Sequence, residues 1–175
     1  FTPIDSEMYP QEFDTWVDPG KVARRLEGRH RQKHFRGVCT IVLKLFNIFH
    51  PDRSYFGQKD AQQIVVIRRM VKDLALGVEI IAVPTVREND GLALSSRNLN
   101  LSRAERQAAP VLYRALCMAK DIAMRGQGNA SHVRKAMRRC IAKETPASIS
   151  YVSIADAETL EELTVIDRPA VASLA

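Results

Sequence analysis

The stretch of residues 55–98 constrains this chain most, because two polar clusters there bracket an apolar pattern that switches between strand and helix. The first cluster is Phe56-Gly57-Gln58-Lys59-Asp60 and the second is Leu94-Ser95-Ser96-Arg97-Asn98. Tyr55-Phe56 reads as the end of a buried strand, after which Ile64, Ile67, Val71 and Leu74 recur at helical spacing. The first cluster is therefore a strand-to-helix turn. The leading N–H groups of a helix have no partner within it, and the helix dipole favours negative charge there. A glycine permits close approach to that backbone and a lysine adds a point charge, so Gly57 and Lys59 suit a phosphate. A purely local reading competes: Asp60 with Gln63 three residues on fits a variant capping box that needs no ligand.

In chain order, residues 13–17 read as a short strand, and Pro19-Gly20 opens a short helix over 21–26 that ends at Gly28. A loop over 29–34 leads into Phe35, Val38, Ile41, Val42, Leu45, Phe46 and Phe49, an apolar stripe wide enough for a helix packed on a sheet, with Pro51 as its stop. Short apolar strands at 53–56 and 78–83 flank the helix of the central stretch. This strand-helix-strand order implies an α/β domain with a parallel sheet, right-handed crossovers and a ligand at the carboxyl ends of the strands. After Pro84 the pattern changes: Arg87-Glu88-Asn89-Asp90-Gly91 is turn-rich, which places a domain boundary there and divides the chain into 1–86 and 87–175. Ser102 with Glu105 forms a capping box for a helix running to Gly126 and kinked at Pro110. Asn129 caps another helix, and strands follow at 149–154 and 171–174, which together suggest a small α+β unit with antiparallel strands.

Composition narrows the function. A chain of 175 residues buries a substantial core as one domain or two small ones. No run approaches the ~20 apolar residues of a membrane span and no signal-like segment opens the chain, so no membrane partner and a cytoplasmic location are expected. Cys39, Cys117 and Cys140 are odd in number and far apart, which reads as reduced thiols, with no metal-ligand set. The net charge of +6 is unevenly placed: an acidic opening stretch gives way to Lys21, Arg24, Arg25, Arg29, Arg31, Lys33 and Arg36. A second run, Arg134, Lys135, Arg138 and Arg139, reads as a solvated helix face. Neither run carries the interleaved aromatics of a single-strand binder, so no nucleic-acid partner is expected. The run over 29–36 instead suits attraction of an anionic substrate. Both ends of the chain read as interrupted strands, from which the chain is expected to be part of a longer protein.

The second cluster falls just after the boundary. Ser95 and Ser96 offer hydroxyl donors and Arg97 a planar fork for phosphate oxygens, so this loop can face a nucleotide. Two phosphate-capable clusters at the mouth of one sheet form a more informative signal than either alone.

Taken in order and spacing, residues 56–63, then Val83-Pro84-Thr85-Val86-Arg87-Glu88, then residues 90–98 closely resemble the signature of the pantoate–beta-alanine ligases, and His34-Phe35-Arg36-Gly37-Val38 fits the same family. The resemblance implies a Rossmann-like α/β fold, the carboxyl-terminal half of a nucleotidyl-transferase domain of the His-x-Gly-His type, followed by a small α+β lid. It implies activation of pantoate with ATP and Mg²⁺ as a pantoyl adenylate, releasing pyrophosphate, and displacement of AMP by beta-alanine. Carried over residue by residue, Gly57, Gln58, Lys59 and Asp60 match the ATP-binding turn, Val86 the adenine contact, and Leu94, Ser95, Ser96 and Arg97 the flexible nucleotide loop. Lys59, Ser95, Ser96 and Arg97 would carry catalysis, Gln63 would bind pantoate, and His34 is a second-line pantoate position. Gln58 stands where an acidic residue is usual, Ala61 where a larger side chain is common, and Leu94 in place of methionine. The family's amino-terminal His-x-Gly-His motif and early glutamine have no counterpart here, so this chain alone is expected to be inactive or weakly active. A homodimer is implied, with the stretch near Trp16 as an available edge. The alternatives are a related nucleotidyl transferase acting on another acid, or a basic nucleic-acid-binding module.

Overall fold

The computed structural model describes residues 1–175, which divide into two units: Phe1–Phe56 with Gln62–Ala82, and Gly57–Ala61 with Val83–Ala175.

The first unit begins with α1 (Asp5–Met8), a 3-10 turn (Gly20–Arg24) and α2 (Glu27–His30). The long helix α3 (His34–Phe49) follows, then β1 (Arg53–Gly57), α4 (Ala61–Asp73) and β2 (Glu79–Val83). β1 and β2 pair in parallel with α4 as the crossover, the arrangement the sequence pattern implied. On α3, Phe35, Cys39, Val42 and Phe46 are buried, a three-and-four spacing that lines one face. The helix stops at His50, which turns to the left-handed region (φ 45°, ψ 53°) ahead of Pro51. Helix α4 buries Ile64, Val65, Val66, Ile67 and Met70.

Two local expectations are overturned here. Residues 13–17 form no strand; the aromatic side chains at 13 and 16 join a cluster instead. Phe13 meets Tyr9 and Trp16 edge-on at 5.1 and 5.3 Å. The Lys44 ammonium lies 4.5 Å from the Phe13 ring centre and the Arg36 guanidinium 4.6 Å from that of Trp16. The Val17 N–H donates to Thr40 Oγ1 at 3.0 Å rather than to a neighbouring strand. The helix expected over 21–26 is likewise replaced by the 3-10 turn and α2, separated by Leu26 at φ 45°. At this break Gln62 Nε2 donates to the carbonyls of Val22 at 3.0 Å and Arg25 at 2.7 Å, and the Arg25 carbonyl also accepts the Gly28 N–H at 2.8 Å. Gly28 lies inside α2 instead of ending a helix: a Cβ there would stand 1.7 Å from the Ala23 carbonyl oxygen, so only glycine fits.

The second unit continues with α5 (Arg103–Ala108), α6 (Val111–Met124), α7 (Ala130–Ile141), β3 (Val152–Asp156) and β4 (Ala170–Leu174). β3 and β4 are antiparallel, in register from Val152 opposite Leu174 to Asp156 opposite Ala170. Val111, Ala115 and Ala119 of α6, Val133, Met137 and Ile141 of α7, and Val152 and Ile154 of β3 form the core. The capping box is complete: Glu105 N–H donates to Ser102 Oγ at 3.3 Å and Ser102 N–H to Glu105 Oε2 at 2.8 Å. Pro110 divides the expected single kinked helix into α5 and α6, since it has no N–H and its ring blocks the preceding turn. Asn129 caps α7, accepting from His132 N–H at 2.9 Å. The basic run on α7 is not uniformly solvated. Arg134 Nη1 donates to Glu162 Oε2 and the Leu163 carbonyl, both at 2.9 Å, so this guanidinium is a clamp within the unit.

All three cysteines are free thiols. Burial, then the Asp18 charge, pushes the Cys39 thiol from 9.0 up to about 12. No helix is long and apolar enough to cross a membrane.

Candidate active site

Gly57–Asp60 of the first cluster and the whole of the second fall in the second unit, whereas Phe56, Gln63 and His34 fall in the first. Gly57 leads from β1 into a 3-10 turn, Gln58–Asp60, that runs directly into α4. Gly57, Gln58, Lys59 and Asp60 are all exposed. The turn starts at Gly57 with no side-chain cap, and the leading N–H groups of such a start have no acceptor within the helix itself. Gly57 itself sits at φ −68°, a conformation any residue adopts, and nothing lies within 4 Å of where a Cβ would stand. Neither backbone strain nor packing within the chain therefore demands glycine at this position.

The second cluster is mounted on a short antiparallel turn. Leu94 N–H donates to the Val86 carbonyl at 2.9 Å, Glu88 N–H to the Leu92 carbonyl at 2.8 Å, and Arg87 bridges Ala93. Gly91 closes the turn at φ 91°, and a Cβ there would come within 2.2 Å of Tyr113 Cδ1. This glycine is required twice over, by conformation and by space. Val86, the residue expected at the adenine, and Leu94, the first residue of the expected nucleotide loop, are thus cross-strand neighbours. They are 67% and 57% exposed, an apolar pair that the protein itself leaves uncovered. Ser95 starts the following 3-10 turn (Ser96–Asn100), its Oγ accepting from Arg97 N–H at 3.3 Å. The Ser96 and Arg97 side chains are exposed.

Beneath this loop lies a polar network that sequence reasoning did not find. Arg106 on α5 donates through Nη2 to Glu88 Oε2 at 2.7 Å and through Nη1 to Asp90 Oδ2 at 2.6 Å. Asn98 Nδ2 donates to Glu88 Oε1 at 3.1 Å and to the Ala93 carbonyl at 3.0 Å. Arg87 Nη1 donates to the Gly91 carbonyl at 3.0 Å while its guanidinium lies 4.0 Å from the Tyr113 ring centre. The hydrogen bond from Arg106, with that from the Leu92 N–H, holds the Asp90 carboxyl below its ordinary value of 3.8. The sequence signal for it is the turn-rich run 87–91, which carries both carboxylates of the network.

In the first unit, Gln63 is half-buried at the start of α4 beside the buried Gln62. His34 opens α3, half-buried, its ring 4.9 Å from that of Phe35. Arg29, Lys33 and Arg36 line an open cavity of about 600 Å³ together with Asp18, Arg24 and Gly28. Nowhere do three or more His, Cys, Asp or Glu side chains converge as a metal cage.

The chain matches the profile of the family described as pantoate-beta-alanine ligase over residues 1–175. It is 52% identical over 169 residues to the pantothenate synthetase of Herpetosiphon aurantiacus, covering 97% of this chain and 61% of that protein. It is 55% identical over 175 residues to that of Roseiflexus castenholzii, covering 100% of this chain and 63% of the relative. Among solved structures, a pantothenate synthetase of Thermus thermophilus superposes with a TM-score of 0.90 at 44% identity, covering 97% of this chain and 61% of that one. A pantoate-beta-alanine ligase from Francisella tularensis, complexed with beta-gamma ATP and beta-alanine, gives a TM-score of 0.66 at 32% identity over 86% of this chain and 54% of that one. The chain thus spans less than two thirds of the length of these relatives.

Proposed function

The chain belongs to the pantoate–beta-alanine ligase family, and on that premise we propose that it takes part in the ATP-dependent condensation of pantoate with beta-alanine. In the first step a pantoate carboxylate oxygen attacks the α-phosphorus of ATP, the bond to the β-phosphate oxygen breaks, and pyrophosphate leaves. In the second, the beta-alanine amine attacks the acyl carbon of the pantoyl adenylate, the acyl–oxygen bond breaks, and AMP leaves with pantothenate as product. Neither step needs a nucleophile from the protein. Both need reactants held in line and charge stabilised on phosphate oxygens.

The single observation that carries this reading is the arrangement at residues 86 and 94–97. An uncovered apolar pair, Val86 and Leu94, stands hydrogen-bonded side by side immediately before Ser95, Ser96 and Arg97. Such a pair suits an adenine face, and the hydroxyls and guanidinium that follow suit its phosphates. Gly57, Gln58, Lys59 and Asp60 supply an uncapped helix start with an exposed ammonium for the same phosphates. Gln63, with His34 in a secondary role, orients pantoate. Residues 1–86 act as the ATP- and pantoate-binding domain and residues 87–175 as its lid, in a cytoplasmic homodimer. The Francisella tularensis relative, complexed with beta-gamma ATP and beta-alanine, supports the choice of substrates. Magnesium fits as a cation carried on the triphosphate, since it favours phosphate oxygens and water over an all-protein cage. When bound it neutralises phosphate charge, and the residues named above bind and orient the organic substrates.

Exchange of labelled pyrophosphate into ATP tests the proposal. Exchange should require pantoate, should fail with other hydroxy acids, and addition of beta-alanine should release AMP. Exchange supported by a different acid and not by pantoate would assign the site to another enzyme of the superfamily.

A further inference from the structure

We infer that Arg106 is a positioning residue for the loop carrying Ser95, Ser96 and Arg97, acting through the carboxylate of Glu88; its kinetic consequences rest on the function proposed above. One carboxylate ties three segments together. Glu88 Oε2 accepts from Arg106 on α5 at 2.7 Å, and Glu88 Oε1 accepts from Asn98, the residue after Arg97, at 3.1 Å. The same Asn98 amide reaches the Ala93 carbonyl at 3.0 Å, just before Leu94, so one side chain grips the loop on both flanks. The second arm of the Arg106 fork takes Asp90 at 2.6 Å, and the other oxygen of that carboxylate accepts the Leu92 N–H at 3.1 Å. The planar fork therefore fixes the turn 88–92 at two points, a geometry that a single ammonium cannot reproduce.

The chain's own packing does not do this job. Ser96, Arg97 and Leu99 are exposed, and beyond the 3-10 turn itself the local bonds are short-range: Arg97 N–H to Ser95 Oγ at 3.3 Å, Asn98 N–H to the Ser95 carbonyl at 3.1 Å and Leu101 N–H to the Asn98 carbonyl at 3.2 Å. A loop with so little burial is held by its polar anchors or not at all. Arg106 lies at the far end of the relay Arg106–Glu88–Asn98 and touches no residue proposed to meet substrate. A residue so placed alters how often the loop adopts its reactive geometry, and a small displacement of the loop is felt mainly in turnover.

Arg106→Gln, Arg106→Lys, Glu88→Gln and Asn98→Ala in the native protein test this. In Arg106→Gln the backbone order parameters of residues 96–98 should fall from about 0.85 to below about 0.6, with α6 and α7 unchanged. Glu88→Gln, which keeps an acceptor for Asn98 but removes the charge facing Arg106, should give a smaller fall. Pantoate-dependent pyrophosphate exchange should lose roughly 10- to 100-fold in kcat with little change in the KM for pantoate, and Arg106→Lys should recover part of it. Arg106→Gln combined with Asn98→Ala should cost less than the product of the two single effects, because both act on Glu88. Unchanged order parameters in folded Arg106→Gln, or a loss of order spread equally over α6 and α7, would overturn the assignment. Absence of exchange in the unmodified protein would remove the proposed function while leaving the order parameters to decide the role of Arg106.

Discussion

Replacing Gly91 with alanine should destabilise the second unit by about 2–4 kcal/mol, and the structure separates the causes. At φ 91° a side chain sits in a sparsely populated region, a strain of roughly 1–3 kcal/mol. The added Cβ would also meet Tyr113 Cδ1 at 2.2 Å. Tyr113 is 36% exposed, so its ring can swing outward, but in doing so it leaves the Arg87 guanidinium now 4.0 Å from its centre. Losing that partly exposed cation–π contact costs about 0.5–1 kcal/mol. In a chain of this size each kcal/mol lowers the melting temperature by roughly 2–4 °C, so thermal unfolding should shift by about 4–16 °C. Removing the obstructing ring with Tyr113→Ala in the Gly91→Ala background should relieve the steric part and leave the conformational part. Gly57→Ala is the matched contrast. At φ −68° with open space around it, alanine there should be neutral or stabilising by up to about 1 kcal/mol, yet should weaken ATP use by occupying the space offered to phosphate. A Gly91→Ala protein within about 0.5 kcal/mol of its parent would refute the reasoning. So would full restoration by Tyr113→Ala, which would leave φ without a role.

Two further outcomes follow from individual groups. Cys39, its thiol pushed up to about 12, should resist alkylation at pH 8 while the half-buried Cys117 and Cys140 react, as mass spectrometry of modified peptides would record. Because the folded pKa of Cys39 is raised, its contribution to stability is complete below 9.0 and declines as pH rises towards about 12, so denaturation midpoints should fall more steeply across that window than in Cys39→Ala. Asn129→Ala should cost about 1 kcal/mol in chemical denaturation through loss of the cap on α7; no change would mean that the 2.9 Å bond to His132 N–H is replaced without penalty by water.

Much of this architecture was legible because it rests on local rules. The stripe on α3, the strand-helix-strand order around α4, and the caps at Ser102 and Asn129 follow from spacing and from polar side chains at helix starts. Where reading failed, a distant partner decided the outcome. Gln62 reaches back to Val22 and Arg25, at the break in a helix that periodicity alone would have made continuous. Phe13 and Trp16 flank a segment read as a strand, but their faces are taken by Lys44 and Arg36. Arg106 has nothing in its own neighbourhood of sequence to distinguish it from a solvated arginine, since its partners lie 18 and 16 residues earlier. The polar clusters themselves were visible as residue types, whereas the pairing of Val86 with Leu94 needed the turn at Gly91 to be built.

Lys59 is the residue on which the adenylation site stands or falls. In the native protein, Lys59→Ala should leave the fold intact, because the side chain is exposed, and raise the barrier to pantoate-dependent ATP–pyrophosphate exchange by about 2–4 kcal/mol, the usual effect of removing one electrostatic donor. Exchange that proceeds at the parent rate would contradict the assignment of the first cluster to the phosphates and, with it, the reading of the two clusters as one adenylation site.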